Sequence, residues 1–594
     1  MGLDYYEPMK RYLRLATHGL ATLALATGGL HAFAQTAPEA VPPSAAEAAP
    51  AQSAMNGELF YIVLLGELNA AGGEPGIAYQ LYLEGARKAN DPILYRRAVE
   101  IALQSRSGDA ALQAARVWSK AEPASRDANR YVLQILLALN RVADTAEPLK
   151  TELAMATEAN RTAAITAIPP TYAQISDKNQ AATVVEQVLG SYLKDEAVGP
   201  TAWTTVGRMR LAAGDTSGAL EAARSGQALS ITAPGPVQLA LEMMGPKVPL
   251  AEPIVLYYLN AQPLPELRMA YVRALLEAQR YAEATQQLTL LTSQNPDFPD
   301  AWLVQGSLQV QENQLSAAET SLKRFITLAE PLPASEGRTR GLSSAYMALS
   351  QVAENRKDYP AASAWLQKID NPEELLAGQG RRASLLAKQG KLAEGRALLQ
   401  ALPERTTAEA RLKLSAEVQL LRDNKQYQTA YDLMAKAVAE RPDDADLLYD
   451  QAMLAEKLDK LDDMERLLRQ LIASKPDYHH AYNALGYSLA ERNLRLPEAR
   501  ELIRKALEFV PNDPFIADSL GWVEFRMGNK DEALRVLDGA FKAKPDAEIA
   551  AHLGEVLWAL GQRERATSIW KEGLRINSDN ETLLATLKRL QVKP

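Results

Sequence analysis

The C-terminal part of the chain repeats one pattern of residues at a nearly constant interval. A Leu-Gly pair recurs with its glycine at Gly486, Gly521 and Gly554, so that successive copies are 35 and 33 residues apart. Two small residues follow each glycine at matching distances, namely Ala499 and Ala506, Ala533 and Ala540, and Ala566 and Gly573. A fixed period of this length is typical of proteins built from stacked structural repeats, so the period constrains the fold more than any other feature.

The residue types at the fixed positions indicate two antiparallel helices in each repeat. Small side chains let two helix backbones approach closely, and a proline ends the second helix. Prolines occur in the same phase at Pro442, Pro476, Pro511 and Pro545. The chain is rich in Ala and Leu, and only 6% of its residues are aromatic, which favours helices over strands. The sequence therefore predicts an all-α fold, a solenoid of stacked antiparallel helix pairs.

These motifs resemble the tetratricopeptide repeat, and the resemblance covers most of the chain. Weaker copies are found further towards the N-terminus, with Gly306, Gly207 and Gly66 at the position of the repeated glycine. The resemblance implies a right-handed superhelix that binds proteins or peptides along its inner face. Because the sequence shows no grouping of nucleophile, base and orienting residue, we expect a scaffold and not an enzyme.

The first residues have the order of a secretory signal. Basic residues precede a largely apolar stretch from about Leu20 to Leu30, and Ala32-Phe33-Ala34 then matches an A-x-A cleavage site. We expect cleavage after residue 34 and export of the chain to the periplasm. Residues before Met9 are interpreted as an extension or an upstream start, because acidic side chains stand there where a signal requires positive charge.

The remaining chain divides into three predicted segments. Residues 35–57 are rich in Ala and Pro and predict a flexible linker. Residues 58–230 predict an N-terminal segment of degenerate repeats, and residues 254–594 predict the C-terminal superhelix with a capping helix. The proline-rich stretch between them, residues 231–253, is the predicted boundary.

Composition excludes several classes of function. The chain has no cysteine, which excludes disulfides, thiolate metal sites, cysteine catalysis and a lipid anchor on an N-terminal cysteine. Its formal net charge is -8, with Lys and Arg scattered among acids, so no nucleic-acid partner is expected. No stretch after the signal is long and apolar enough to span a membrane, so we expect at most a peripheral association with the outer membrane.

No short motif predicts a catalytic, cofactor or metal site. The string GQGRRA at residues 378–383 matches a dinucleotide-binding fingerprint, but it lies within a predicted helix and does not follow a strand. Ser568 and Lys571 match S-x-x-K without the accompanying motifs. His479, His480 and His552 lack the spacing of zinc ligands, and packing or exposed roles are expected for them.

In tetratricopeptide repeats the first helix of each pair lines the concave face, and the register of the repeated glycine then assigns residues to that face. The predicted protein-binding residues are Asn483, Tyr487, Phe515, Trp522, Phe525, Glu555 and Trp558. Several aromatic residues on one face of an aromatic-poor chain are typical of a partner-binding surface. The alternative is that they pack against the chain's own final helix.

The C-terminal repeats are similar to the periplasmic tetratricopeptide proteins of proteobacteria. One branch of that group binds and activates a carboxy-terminal processing protease and delivers cell-wall hydrolases to it. The resemblance therefore implies an adaptor whose partners are a processing protease and peptidoglycan hydrolases. The alternative function is that of a structural subunit of an envelope assembly, such as a polysaccharide export complex.

Overall fold

The computed structural model describes residues 56–261 and 263–593, and every regular element in this part of the chain is helical. The predicted signal and most of the predicted linker lie outside the described residues. Two compact units are present. We call residues 56–312 and 320–331 the N-terminal unit, and residues 313–319 and 332–593 the C-terminal unit.

The N-terminal unit contains short antiparallel helices joined by tight turns, with two 3₁₀ turns at Val142–Thr145 and Pro249–Ala251. Its helices are α1 Gly57–Ala71, α2 Pro75–Ala89, α3 Pro92–Gln104, α4 Gly108–Ala121, α5 Arg126–Ala138, α6 Ala146–Met155, α7 Glu158–Thr166, α8 Ile168–Thr171, α9 Lys178–Leu189, α10 Gly199–Ala212, α11 Thr216–Leu229, α12 Pro234–Met243, α13 Glu252–Leu259, α14 Pro265–Glu277, α15 Tyr281–Gln294 and α16 Pro299–Gln311.

Helix α17, Leu315–Ala329, contributes residues to both units. The helices that follow belong to the C-terminal unit, and they are α18 Glu336–Asn355, α19 Tyr359–Leu366, α20 Pro372–Lys388, α21 Leu392–Gln400, α22 Thr407–Asp423, α23 Tyr427–Glu440, α24 Ala445–Lys457, α25 Leu461–Ser474, α26 His479–Glu491, α27 Leu496–Phe509, α28 Pro514–Arg526, α29 Lys530–Ala543, α30 Ala547–Ala559, α31 Arg563–Ile576 and α32 Glu581–Leu590. The predicted all-α solenoid of antiparallel helix pairs is confirmed.

The repeated glycines lie where two helices of a pair touch. A β-carbon built on Gly486 in α26 would lie 2.6 Å from Ile503 of α27, and one on Gly521 in α28 would lie 2.5 Å from Leu537 of α29. On Gly554 it would overlap the indole of Trp570. A side chain larger than hydrogen at these positions would therefore force the facing residue to shift. The two helices of each pair approach closely there, as the sequence pattern predicts.

Local sequence explains where the helices of a repeat begin and end. Asp513 caps α28, because its carboxylate accepts hydrogen bonds from the backbone N–H groups of Phe515 and Ile516, and Pro514 occupies the first helical position. Gly528 has φ +90° in the turn between α28 and α29. Glycine adopts this left-handed conformation without the steric cost that a β-carbon brings. A residue in this conformation ends the helix and allows a short turn into the next one.

The proline-rich stretch at residues 231–253 forms α12 and one 3₁₀ turn. Its side chains Val237, Leu239 and Ala251 are buried in one hydrophobic core that runs from Ala219 to Leu308. The division of the repeats at this stretch stays a prediction. The string GQGRRA lies inside α20, as the sequence pattern predicts. Ser568 and Lys571 lie inside α31.

Candidate protein-binding surface

All seven predicted binding residues lie on three successive first helices of the C-terminal repeats. Asn483 and Tyr487 lie on α26, and Glu555 and Trp558 lie on α30. The other three lie on α28. Their exposure divides them into two groups, with Asn483, Tyr487, Trp522 and Glu555 buried and Phe515, Phe525 and Trp558 half-buried.

A buried polar cluster joins α26, α28 and α30. The imidazole of His552 contacts the carboxylate of Asp518 through Nδ1 at 2.8 Å and the hydroxyl of Tyr487 through Nε2 at 3.3 Å. The indole of Trp522 stacks on the same imidazole, with ring centroids 4.4 Å apart. We call Tyr487, Asp518, Trp522 and His552 the His552 cluster. Its members come from three different repeats.

The charges around His552 favour its protonated form. Burial lowers the pKa of His552, but the adjacent Asp518 carboxylate, with Glu548 and Glu491 further away, raises that pKa to about 9. At neutral pH the ring is therefore an imidazolium paired with Asp518. Both ring nitrogens then donate, one to the carboxylate and one to the oxygen of Tyr487, so the buried charge has partners on both sides.

Trp522 is held from several directions and is only 3% exposed. Its indole Nε1 donates a hydrogen bond of 2.8 Å to Glu491 of α26, and the guanidinium of Arg526 lies 5.7 Å from the ring centroid. The sequence leaves two interpretations for such aromatics, a partner surface or packing against the final helix. In the structure Trp522 packs against α26 and α30 instead, which neither interpretation specifies.

The final helix, α32, contacts the other end of the predicted surface. Arg589 of α32 forms an ion pair with the buried carboxylate of Glu555. The ring of Trp558 lies 5.6 Å from the ring of Trp570 in α31, measured between ring centroids. Glu581 of α32 also lies 4.0 Å from the ammonium of Lys457 at the end of α24, so the last helix comes close to a helix three repeats before the last repeat.

Three aromatic side chains remain partly accessible to a partner. Phe515, Phe525 and Trp558 all pack on the hydrophobic core of the last two repeats and keep part of each ring in solvent. The ammonium of Lys544 lies 4.5 Å from the centroid of Phe515, and the guanidinium of Arg563 lies 4.3 Å from that of Trp558. We call these three residues the aromatic surface. It combines apolar rings with neighbouring positive charge.

The sequence pattern does not identify Asp518 and His552 as neighbours of the predicted residues. Asp518 lies three residues before Gly521, which is the position that Asn483 occupies before Gly486. The equivalent position in the repeat could therefore have identified Asp518 as a neighbour of the predicted residues. Asn483 is 3% exposed, and its side-chain oxygen has no hydrogen-bond partner within the described protein.

Two kinds of feature are absent from the described residues. No cluster of three or more His, Asp or Glu side chains arranged to hold a metal ion occurs in that part of the chain. Among the helices described, none combines the length and the apolar character that crossing a membrane requires.

The geometry defines a class of protein, a helical-repeat protein. Comparison with known families gives the repeat type. The family model of the tetratricopeptide repeat matches residues 270–333, 449–514 and 519–577. The chain therefore contains tetratricopeptide repeats in these three stretches, as the sequence pattern predicts.

A TPR repeat-containing protein of Pseudomonas aeruginosa is 39% identical to this chain over 215 residues. The match spans 36% of this chain and 36% of that relative, which is about a third of its length.

Two solved structures also match. A tetratricopeptide repeat protein from Parabacteroides merdae is 17% identical over 42% of this chain and 99% of its own, with a TM-score of 0.32. The Cut9–Hcn1 hetero-tetramer of the APC/C contributes a chain that is 12% identical over 85% of this chain and 97% of its own, with a TM-score of 0.30.

Proposed function

We propose that the protein is an exported, non-catalytic adaptor that binds other proteins through the aromatic surface of its last repeats. The observation that carries this proposal is that Phe515, Phe525 and Trp558 are half-buried on the hydrophobic core of the last two repeats. The side chain next to Phe525 is already held in place by its own contacts. Trp522, which lies 5.5 Å from Phe525 between ring centroids, is fixed by Glu491 and by His552. Aromatic anchors that are ordered before binding lose little conformational entropy when a partner arrives.

The partner that we propose is a periplasmic carboxy-terminal processing protease, to which the adaptor brings cell-wall hydrolases. Support comes from the resemblance of the C-terminal repeats to periplasmic tetratricopeptide adaptors. The cations beside the aromatic surface, Lys544 and Arg563, suit a partner segment that carries both apolar and acidic side chains. We place the protein in the periplasm because residues 1–34 have the order of a cleaved secretory signal.

The binding test is an affinity capture from envelope extract with three forms of the protein. The double variant Phe515→Ala/Trp558→Ala removes two aromatic anchors of the surface. Phe509→Ala is the matched control, since Phe509 is 40% exposed at the end of α27 and lies outside the aromatic surface. We expect the native form and the control to recover a processing protease and wall hydrolases, and the double variant to recover at least tenfold less. The same purified protease is then titrated against each form.

Two results would overturn the proposal. One is equal recovery of the protease by the double variant and the native protein. The other is stoichiometric recovery of an outer-membrane export barrel that survives the double substitution, which is what a structural subunit of an export complex predicts. For export, the intact mass of the periplasmic protein should correspond to a chain that starts at Gln35, and an uncleaved cytoplasmic chain would contradict it.

A further inference from the structure

Helix α1, at the start of the N-terminal unit, has two apolar faces. One face packs on α2, with Leu59 and Ile62 buried beside Gly85. The opposite face carries Phe60, which is 58% exposed, and Tyr61, which is 61% exposed. A helix with apolar residues on two opposite faces is normally covered on both of them. Helix α1 departs from this expectation.

The exposed face of α1 has the spacing of a helix-pairing seam. Gly57, Tyr61, Leu64, Leu68 and Ala71 follow one another at intervals of four, three, four and three residues. At about 100° per residue these positions, with Phe60, fall within roughly a third of the helix circumference. No charged side chain lies within this stripe, which we call the α1 seam.

The charges that border the α1 seam are already neutralised within the chain. Glu58 forms an ion pair of 2.6 Å with Lys88, and Glu67 forms one of 2.9 Å with Arg97. Glu67 also accepts a hydrogen bond of 2.6 Å from the hydroxyl of Tyr82. Two copies of this surface can therefore meet without bringing uncompensated like charges together.

The exposed area of the α1 seam approaches the minimum that a dimer interface buries. Leu64 is 44% exposed and Leu68 is 59% exposed, in addition to the two aromatic residues of the seam. Taking roughly 200 Å² for a fully exposed side chain of this size, the four side chains present on the order of 450 Å² per chain. Two such seams together present on the order of 900 Å², just under the roughly 1,000 Å² at which biological interfaces begin.

We propose that the α1 seam binds the α1 seam of a second copy of this chain, so that the protein is a homodimer joined at its N-terminal repeats. The pairing is isologous, with a two-fold axis through the centre of the seam, because a single self-complementary patch closes only in this way. Leu64 is the middle residue of the seam, so the axis places Leu64 against its counterpart in the second copy.

Sedimentation equilibrium of the purified full chain gives the first test. We expect the native protein to have twice the mass of one chain at micromolar concentration. The double variant Leu64→Glu/Leu68→Glu is expected to have the mass of one chain, with an unchanged circular dichroism spectrum. Leu412→Glu is the matched control, since Leu412 is 53% exposed on α22, and it should remain dimeric. A native protein that is monomeric at every concentration overturns the proposal, whether the seam is then covered by residues 1–55 or by another protein.

A cross-linking measurement places the interface. The chain contains no cysteine, so a single introduced thiol reports one contact. Leu64→Cys should form a disulfide-linked dimer under mild oxidation, whereas Leu412→Cys should remain uncross-linked. A native dimer in which Leu64→Cys stays uncross-linked and Leu64→Glu/Leu68→Glu stays dimeric would show that the interface lies elsewhere, and the proposal would be wrong.

Discussion

The ion pair between His552 and Asp518 should make the stability of the C-terminal repeats depend on alkaline pH. In the folded chain the pKa of His552 is about 9, because burial, which lowers it, is outweighed by the Asp518 carboxylate. In the unfolded chain the pKa of a histidine is about 6.5. Since the folded pKa is the higher one, protonation stabilises the fold fully below about pH 6.5, and this stabilisation is lost as the pH rises through about 9.

The size of the effect follows from the difference between the two pKa values. A difference of about 2.5 pKa units corresponds to about 3 kcal/mol at 1.36 kcal/mol per unit. His552 is 1% exposed and Asp518 is 2% exposed, so solvent screens their interaction little and reduces this stabilisation only slightly. We therefore expect the free energy of unfolding of the C-terminal unit to fall by a few kcal/mol between pH 6.5 and pH 9.5.

Urea unfolding followed by circular dichroism at a series of pH values measures this change. Asp518→Asn should be less stable than the native protein at neutral pH and should lose the pH dependence between pH 6.5 and 9.5, because the charge that raises the pKa of His552 is gone. His479→Gln is the control, since His479 lies outside the cluster, and it should keep the native profile. If Asp518→Asn retains the native profile, the assignment of the pH dependence to this pair is refuted.

Two further predictions concern stability and use the same unfolding assay. Gly521→Ala should destabilise the fold by about 1–3 kcal/mol, because the new methyl group meets Leu537, whereas Gly539→Ala in α29 has open space and should stabilise the helix by about 0.5–1 kcal/mol. Trp522→Ala should cost about 3–5 kcal/mol and Phe515→Ala less than half of that, since only Trp522 is buried; equal losses would contradict the burial assigned to them.

The architecture of the repeats can be predicted from the sequence because each constraint is local. Gly521 and Ala533 lie 12 residues apart, so their spacing alone indicates which faces of α28 and α29 touch. The caps are equally local, as Asp513 and Pro514 show. The sequence therefore predicts the helix pairs, their turns and the close helix contact at each of the three repeated glycines.

The surroundings of the predicted binding residues cannot be predicted in the same way. Tyr487 and His552 are 65 residues apart and two repeats distant, and they meet because α26, α28 and α30 pack in succession against one another. The period of the sequence specifies which residues face inward, but it does not specify how sharply the stack of repeats curves. Whether Trp522 points into an open groove or onto a neighbouring ring depends on that curvature.

Contacts that skip a repeat change how the C-terminal repeats unfold. In an array where each repeat touches only its neighbours, the end repeats fray one at a time. Here Tyr487 contacts His552 across an intervening repeat, and Lys457 lies near Glu581 of the last helix. Fraying of α30 to α32 would therefore also break contacts made by α24 and α26. These last four repeats should melt together as one cooperative block, and the carboxyl-terminal helix should exchange its amide protons at the rate of the block's interior.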